Sequence, residues 1–134
     1  MSFKVIKHDT NTGENPVFYK LMTDNEGVTL GEALVETSGR LTKCGATATP
    51  EYYAQKTQAA ETTSVTPVPV SRVTELDQFI TKSTATVATS LIGSKVTIDS
   101  TGLLVTATTS SGVFYIDETD GATTTSTVKG HFRR

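Results

Sequence analysis

The sequence has one cysteine, no tryptophan and only nine other aromatic residues. Cys44 alone can form neither an internal disulfide nor a cysteine-rich zinc cluster. No covalent staple is expected, and a reducing cytoplasm is the expected place of synthesis. The longest apolar runs are about four residues, as in VFYI at 113–116, against the roughly 18 that a membrane span requires. The N-terminal MSFKVIKHDTN lacks the apolar stretch of a secretory signal. Basic charge is scarce too. Twelve Lys and Arg against 14 Asp and Glu leave a net charge of −2, without the footprint of a nucleic-acid binder. Neither nucleic acid nor membrane is an expected partner.

Hydroxyl side chains fill the gap. The chain carries 27 Thr and 11 Ser in 134 residues. Threonine is branched at Cβ and stiff at χ1, which suits pleated strands. The composition therefore predicts an all-β protein: small antiparallel barrel or sandwich units with a polar outer face. The length fits one compact domain or two very small ones. Small cores bury little surface, so such a chain leans on docking between its halves, on self-association or on a larger partner.

Along the chain, residues 3–7 (FKVIK) and 17–22 (VFYKLM) read as short strands or surface-laying arms, separated by a polar turn that closes at Pro16. Residues 28–36 (VTLGEALVE) read as a strand, with Gly31 at a bulge or a close backbone approach. Ser38-Gly39 marks a tight turn into RLTK at 40–43, hence a hairpin. Residues 51–54 (EYYA) form a short aromatic strand, and residues 55–66 an exposed polar loop. In PVPVSRV at 67–73, prolines two apart remove donors from one side only. That predicts an edge strand or one beside an irregular contact. Residues 74–82 fit either a helix capped by Thr74 and Asp77 or a turn running into a strand. Residues 83–90 read as a linker or a polar strand. Segments near 94–98, 103–108, 113–117 and 124–132, with turns between them, predict a C-terminal four-stranded meander. The expected division is residues 1–30 as an extended N-terminal arm or first strands, 31–82 as an N-terminal β unit and 83–134 as the meander, with packing into one domain left open.

Chemistry-bearing residues are few. His8 and His131 lie near the termini, outside any nucleophile motif, and the expected place of Cys44 is a small buried or loop position. GSK at 93–95 lacks the upstream glycine and the helix of a phosphate loop. The acidic run 117–121 lacks alternate-position carboxylates, so a hairpin turn explains it better than calcium. Arg133 and Arg134 read as solvated, or as an anchor for an acidic surface. The expectation is a protein that binds or assembles, not an enzyme, with no cofactor and no metal.

The ordered series GEAL (31–34), SGRLTK (38–43), TPEYY (49–53), PVPVSRV (67–73), GSKVTI (93–98), GLLVTATT (102–109), SGVF (111–114) and DG (120–121) resembles small proteins encoded among the head genes of tailed bacteriophages and prophages. We identify that family as the capsid decoration, or head cement, proteins. The resemblance runs over about residues 31–132. It implies a structural virion protein on the capsid exterior that binds the major capsid protein and bridges its subunits. It also implies no cofactor; a homotrimer is the assembly by analogy, with a dimer or a monomer as the alternatives. The expected capsid contact is the N-terminal segment, through Phe3, Val5, Ile6, Val17, Phe18 and Tyr19; the alternative is that these residues begin the protein's own core. The rival reading is an outward-facing head-fibre or carbohydrate-binding module with Tyr52, Tyr53 and Tyr115 as an exposed stacking platform.

Overall fold

The structure is a computed structural model that describes residues 2–7 and 16–132. Ten strands form in chain order: β1 (Lys4–Lys7), β2 (Phe18–Lys20), β3 (Ala33–Thr37), β4 (Arg40–Lys43), β5 (Tyr52–Ala54), β6 (Val68–Arg72), β7 (Gln78–Lys82), β8 (Lys95–Val96), β9 (Phe114–Thr119) and β10 (Thr127–Phe132). They make two five-stranded sheets with every strand pair antiparallel. The first sheet has the order β1-β7-β10-β9-β8 and the second β2-β6-β5-β3-β4. The all-β class is thus as expected, and neither sheet closes into a barrel.

Two apolar clusters hold these layers. Phe3, Phe79, Phe114 and Phe132 meet ring to ring, and Tyr53 adds an edge-on contact to Phe79 at 5.3 Å between centroids. Such edge-to-face pairs are worth about 0.5–1.5 kcal/mol each beyond the area they bury. Ala33 and Tyr53 of the second sheet join this cluster, which ties the two sheets together. Leu34, Tyr52, Ala54, Val68 and Val70 lie in the other cluster, with Met22, Val28 and Leu41. The second sheet is therefore buried on both faces at its centre, which explains the unbroken apolar run Tyr52-Tyr53-Ala54.

Local chemistry accounts for the boundaries. The β3–β4 hairpin turns at Ser38 and Gly39, both with positive φ, as a two-residue hairpin turn requires. Residues 74–77 form a turn in which Asp77 Oδ2 accepts the Thr74 N–H at 3.3 Å, and the chain then runs into β7. Of the two sequence readings, turn into strand is the one present.

Several expectations need correction. For residues 1–30 the arm gives way to its alternative, first strands, where they are described: β1 pairs with β7 and β2 with β6. The sheets also ignore the boundary at residue 82, because β7 leaves the second sheet and pairs with β10. The meander keeps β8, β9 and β10, but residues 103–108 form no strand; they meet residues 97–99 through an isolated bridge, Ile98 with Val105, and backbone bonds from Thr97 N–H to Thr108 O, Asp99 N–H to Leu104 O and Thr106 N–H to Thr97 O. Side-chain hydroxyls and a carboxylate compete for the backbone there. Thr106 Oγ1 accepts the Thr108 N–H, Thr101 Oγ1 the Leu103 N–H, and Asp99 Oδ1 the Leu104 N–H. Residues 83–90 are no loose linker either, since Val87 is fully buried and its N–H donates to Ser126 Oγ. Finally, β6 is an interior strand; β2 covers the side its prolines leave intact.

Candidate docking edge

β2 begins two residues after Pro16, and the run Val17-Phe18-Tyr19 that leads through it is apolar on both faces. Its pairing with β6 decides where its backbone points. Pro69 O accepts the Gln55 N–H, and the Val73 N–H donates to Glu51 O, both at 2.9 Å. Residues 69 and 73 of this run therefore face β5, and residues 68 and 70 face β2. Because Val70 is opposite Phe18 and Val68 opposite Lys20, it is Phe18 and Lys20 whose backbone groups are spent on β6. Val17 and Tyr19 aim theirs the other way, off the sheet.

Further along the chain that same outer side is filled. Leu21 O accepts the Leu41 N–H and the Thr23 N–H donates to Leu41 O, both at 2.9 Å, around the parallel bridge Met22 to Leu41. β4 thus occupies the edge at residues 21–23 and stops. At Val17 and Tyr19 the edge is open among the described residues.

Side chains reinforce the picture. Tyr19 is 71% exposed, Leu30 52% and Val17 49%. With Val5 and Pro69 they line an open groove of about 740 Å³ between β1 and β2, floored by Tyr53, Ala54 and Gln55. Gly31 forms one wall. Its φ of +81° and its closeness to Phe3 O leave no room for a Cβ, which is the close approach expected there. Across the strand, Phe18 packs edge-on to Tyr52, and the Arg72 guanidinium lies 5.4 Å from the Phe18 ring centre. Lys20 turns to Glu36 in a 2.8 Å ion pair; that hydrogen bond is the main cause of an upward shift in the lysine pKa.

The six residues expected to contact a capsid therefore separate. Phe3 is only 3% exposed, in the aromatic cluster, and Val5 packs partly against it. Burial of this kind serves the protein's own core. Ile6, Val17, Phe18 and Tyr19 remain exposed. Sequence reasoning missed Leu30, Pro69 and Arg72. The available signal was β2 itself, apolar on both faces like a covered strand.

Other candidates resolve simply. Tyr52 and Tyr53 are buried, so they form no exposed platform; Tyr115 is half-buried and lies against His131, ring centres 4.9 Å apart. His131 is not a loose terminal residue: in β10, its Nδ1 sits 3.0 Å from Asp117 Oδ2, which also accepts from Gln78 Nε2. Cys44 is buried with its thiol directed at Ala48 O, and burial, with Glu51 nearby, pushes its pKa up to about 12. Such a thiol stays protonated and unreactive. Asp120 accepts the Ala122 and Thr127 N–H groups as a turn cap, which holds its pKa below the usual carboxylate value. His8, Arg133 and Arg134 lie outside the described residues. Among the described residues no group of three or more His, Cys, Asp or Glu converges to hold a metal, and no helix is long and apolar enough to cross a membrane. Compared with known protein families, curated proteins and solved structures, the chain finds no match.

Proposed function

We propose that this chain is a structural virion protein that decorates the outer surface of a tailed-phage head, with the major capsid protein as its partner and no bond-making chemistry of its own. The observation that carries this reading is the open edge of β2. An apolar segment with backbone groups unspent among the described residues, exposed Val17 and Tyr19, and exposed Leu30 beside it, is built to be covered. The ordered resemblance to head cement proteins over residues 31–132 supports the major capsid protein as the partner that covers it. Contacts formed only on the assembled shell favour the shell by mass action.

Heads of the phage that carries this gene, purified without the protein, provide the test. Added protein is expected to co-sediment with them at a fixed ratio to the capsid subunit. Heads lacking it are expected to rupture at lower temperature or lower salt. Protein that stays in the supernatant, with bare heads equally robust, refutes the reading.

A further inference from the structure

We propose that the open edge of β2 receives an extended, carboxylate-bearing segment of the shell protein as an added strand, bonded to the backbone of Val17 and Tyr19. The inference rests on the head-decoration reading and specifies the mode of contact. Its basis is the half-filled edge. One line of outward backbone groups runs from Val17 to Thr23; β4 satisfies it at Leu21 and Thr23 and leaves Val17 and Tyr19 without a partner among the described residues. A segment entering in line with β4 would complete the row. Strand addition of this kind takes its affinity from main-chain bonds and its specificity from alternate side chains. Here Val17, Tyr19, Leu30 and Pro69 offer the apolar groove on one face, and Phe18 offers its ring on the other.

Charge selects the occupant. Among the described residues that line the groove, Lys4 is the one that carries a charge, and none is a carboxylate. On the opposite face the exposed Arg72 sits over Phe18, while Lys20 is already neutralised by Glu36. Among the described residues both faces are thus left positive. A second copy pairing β2 with β2 would set Lys4 and Arg72 against their own kind; an acidic segment of another protein would not.

Backbone and side-chain contact are separable by experiment. Pro at position 19 removes an N–H that faces outward and spares those facing β6, a position where edge strands tolerate Pro. Tyr19→Pro is expected to weaken binding to bare heads about tenfold, the order of one lost main-chain bond. Tyr19→Ala, which keeps the N–H, is expected to weaken it less. Hydrogen exchange supplies a readout that needs no variant: the Val17 and Tyr19 amides should exchange fast in the free protein and slow on heads. Lys4→Glu should weaken binding as well. Binding by wild type with both amides unprotected overturns strand addition and leaves head decoration standing. Wild type that ignores heads overturns both. Retained head binding by Tyr19→Pro, with a dimer converted to monomer by light scattering, assigns the edge to a second copy and also overturns the proposal.

Discussion

β1 and β2 are both edge strands, both taken from the first twenty residues, and they are finished differently. β1 reads KVIK: Val5 packs inward toward the aromatic cluster while Lys4 and Ile6 stay exposed, an alternation in which the exposed residues share one face. The residue before it, Phe3, is locked among Phe79, Phe114 and Phe132. β2 reads FYK after Val17 and has no such alternation; its exposed residues lie on both faces. One strand completes the fold, and the other leaves it with an unfinished side. Closeness in sequence therefore says little about role. The pattern of polar residues across each strand says more.

The sharpest way to break this contrast is to truncate the two phenylalanines. Phe3→Ala removes a ring from a filled core and is expected to cost about 3–5 kcal/mol. Phe18→Ala, at a half-exposed rim, is expected to cost on the order of 1 kcal/mol. Urea unfolding followed by circular dichroism measures both. Equal costs would mean that β2 belongs to the core as firmly as β1 does.

A smaller effect tests the seam between the strands. A Cβ on Gly31 would overlap Phe3 O and crowd Ser2, whereas one on Gly39 meets nothing within 4 Å. Both have positive φ, at +81° and +79°. Each alanine variant carries the same backbone strain, of about 1 kcal/mol. Gly31→Ala is expected to add a further 1–2 kcal/mol or so by displacing residues 2–3. The difference between the two midpoints isolates the contact with the N-terminal segment. No difference would place that segment away from Gly31.

Much of this was legible in the sequence wherever a single residue type had only one conformational use. Ser38-Gly39 announced a hairpin because that turn needs two residues at positive φ. Gly31 announced a close approach for a like reason. The strand segments of the all-β fold followed from β-branched composition and turn punctuation. Sheet membership was not legible, because it is a property of pairing at long range: nothing in QFITK says that β7 prefers β1 and β10 to its neighbour β6. Tyr52 and Tyr53 looked like a surface platform because adjacent tyrosines point to opposite faces, and only burial of both faces of the second sheet hides them both. The docking edge was legible in part. VFY was visible as unusual; the open side of its backbone depended on Pro69 facing β5.

The least of these effects concerns Glu32, beside Gly31 on the same seam. It is 3% exposed; Oε1 accepts the Thr29 N–H at 3.1 Å, and Oε2 has no hydrogen-bond partner among the described residues. Burial pushes its pKa up from the ordinary 4.5, partly opposed by the Thr29 N–H and by Lys43, with Glu26 adding to the rise. The fold thus prefers the protonated carboxyl. Its contribution to stability is greatest below 4.5, falls as pH rises through the raised value, and stays low at neutral pH. Glu32→Gln keeps the shape and removes the charge. It is expected to raise stability at pH 7 by on the order of 1 kcal/mol and to make little difference near pH 4. Thermal melts of both proteins across that range measure the gap. A variant less stable at pH 7 would show that the carboxylate has a partner on this seam, and the seam would then belong to the fold as tightly as β1 does.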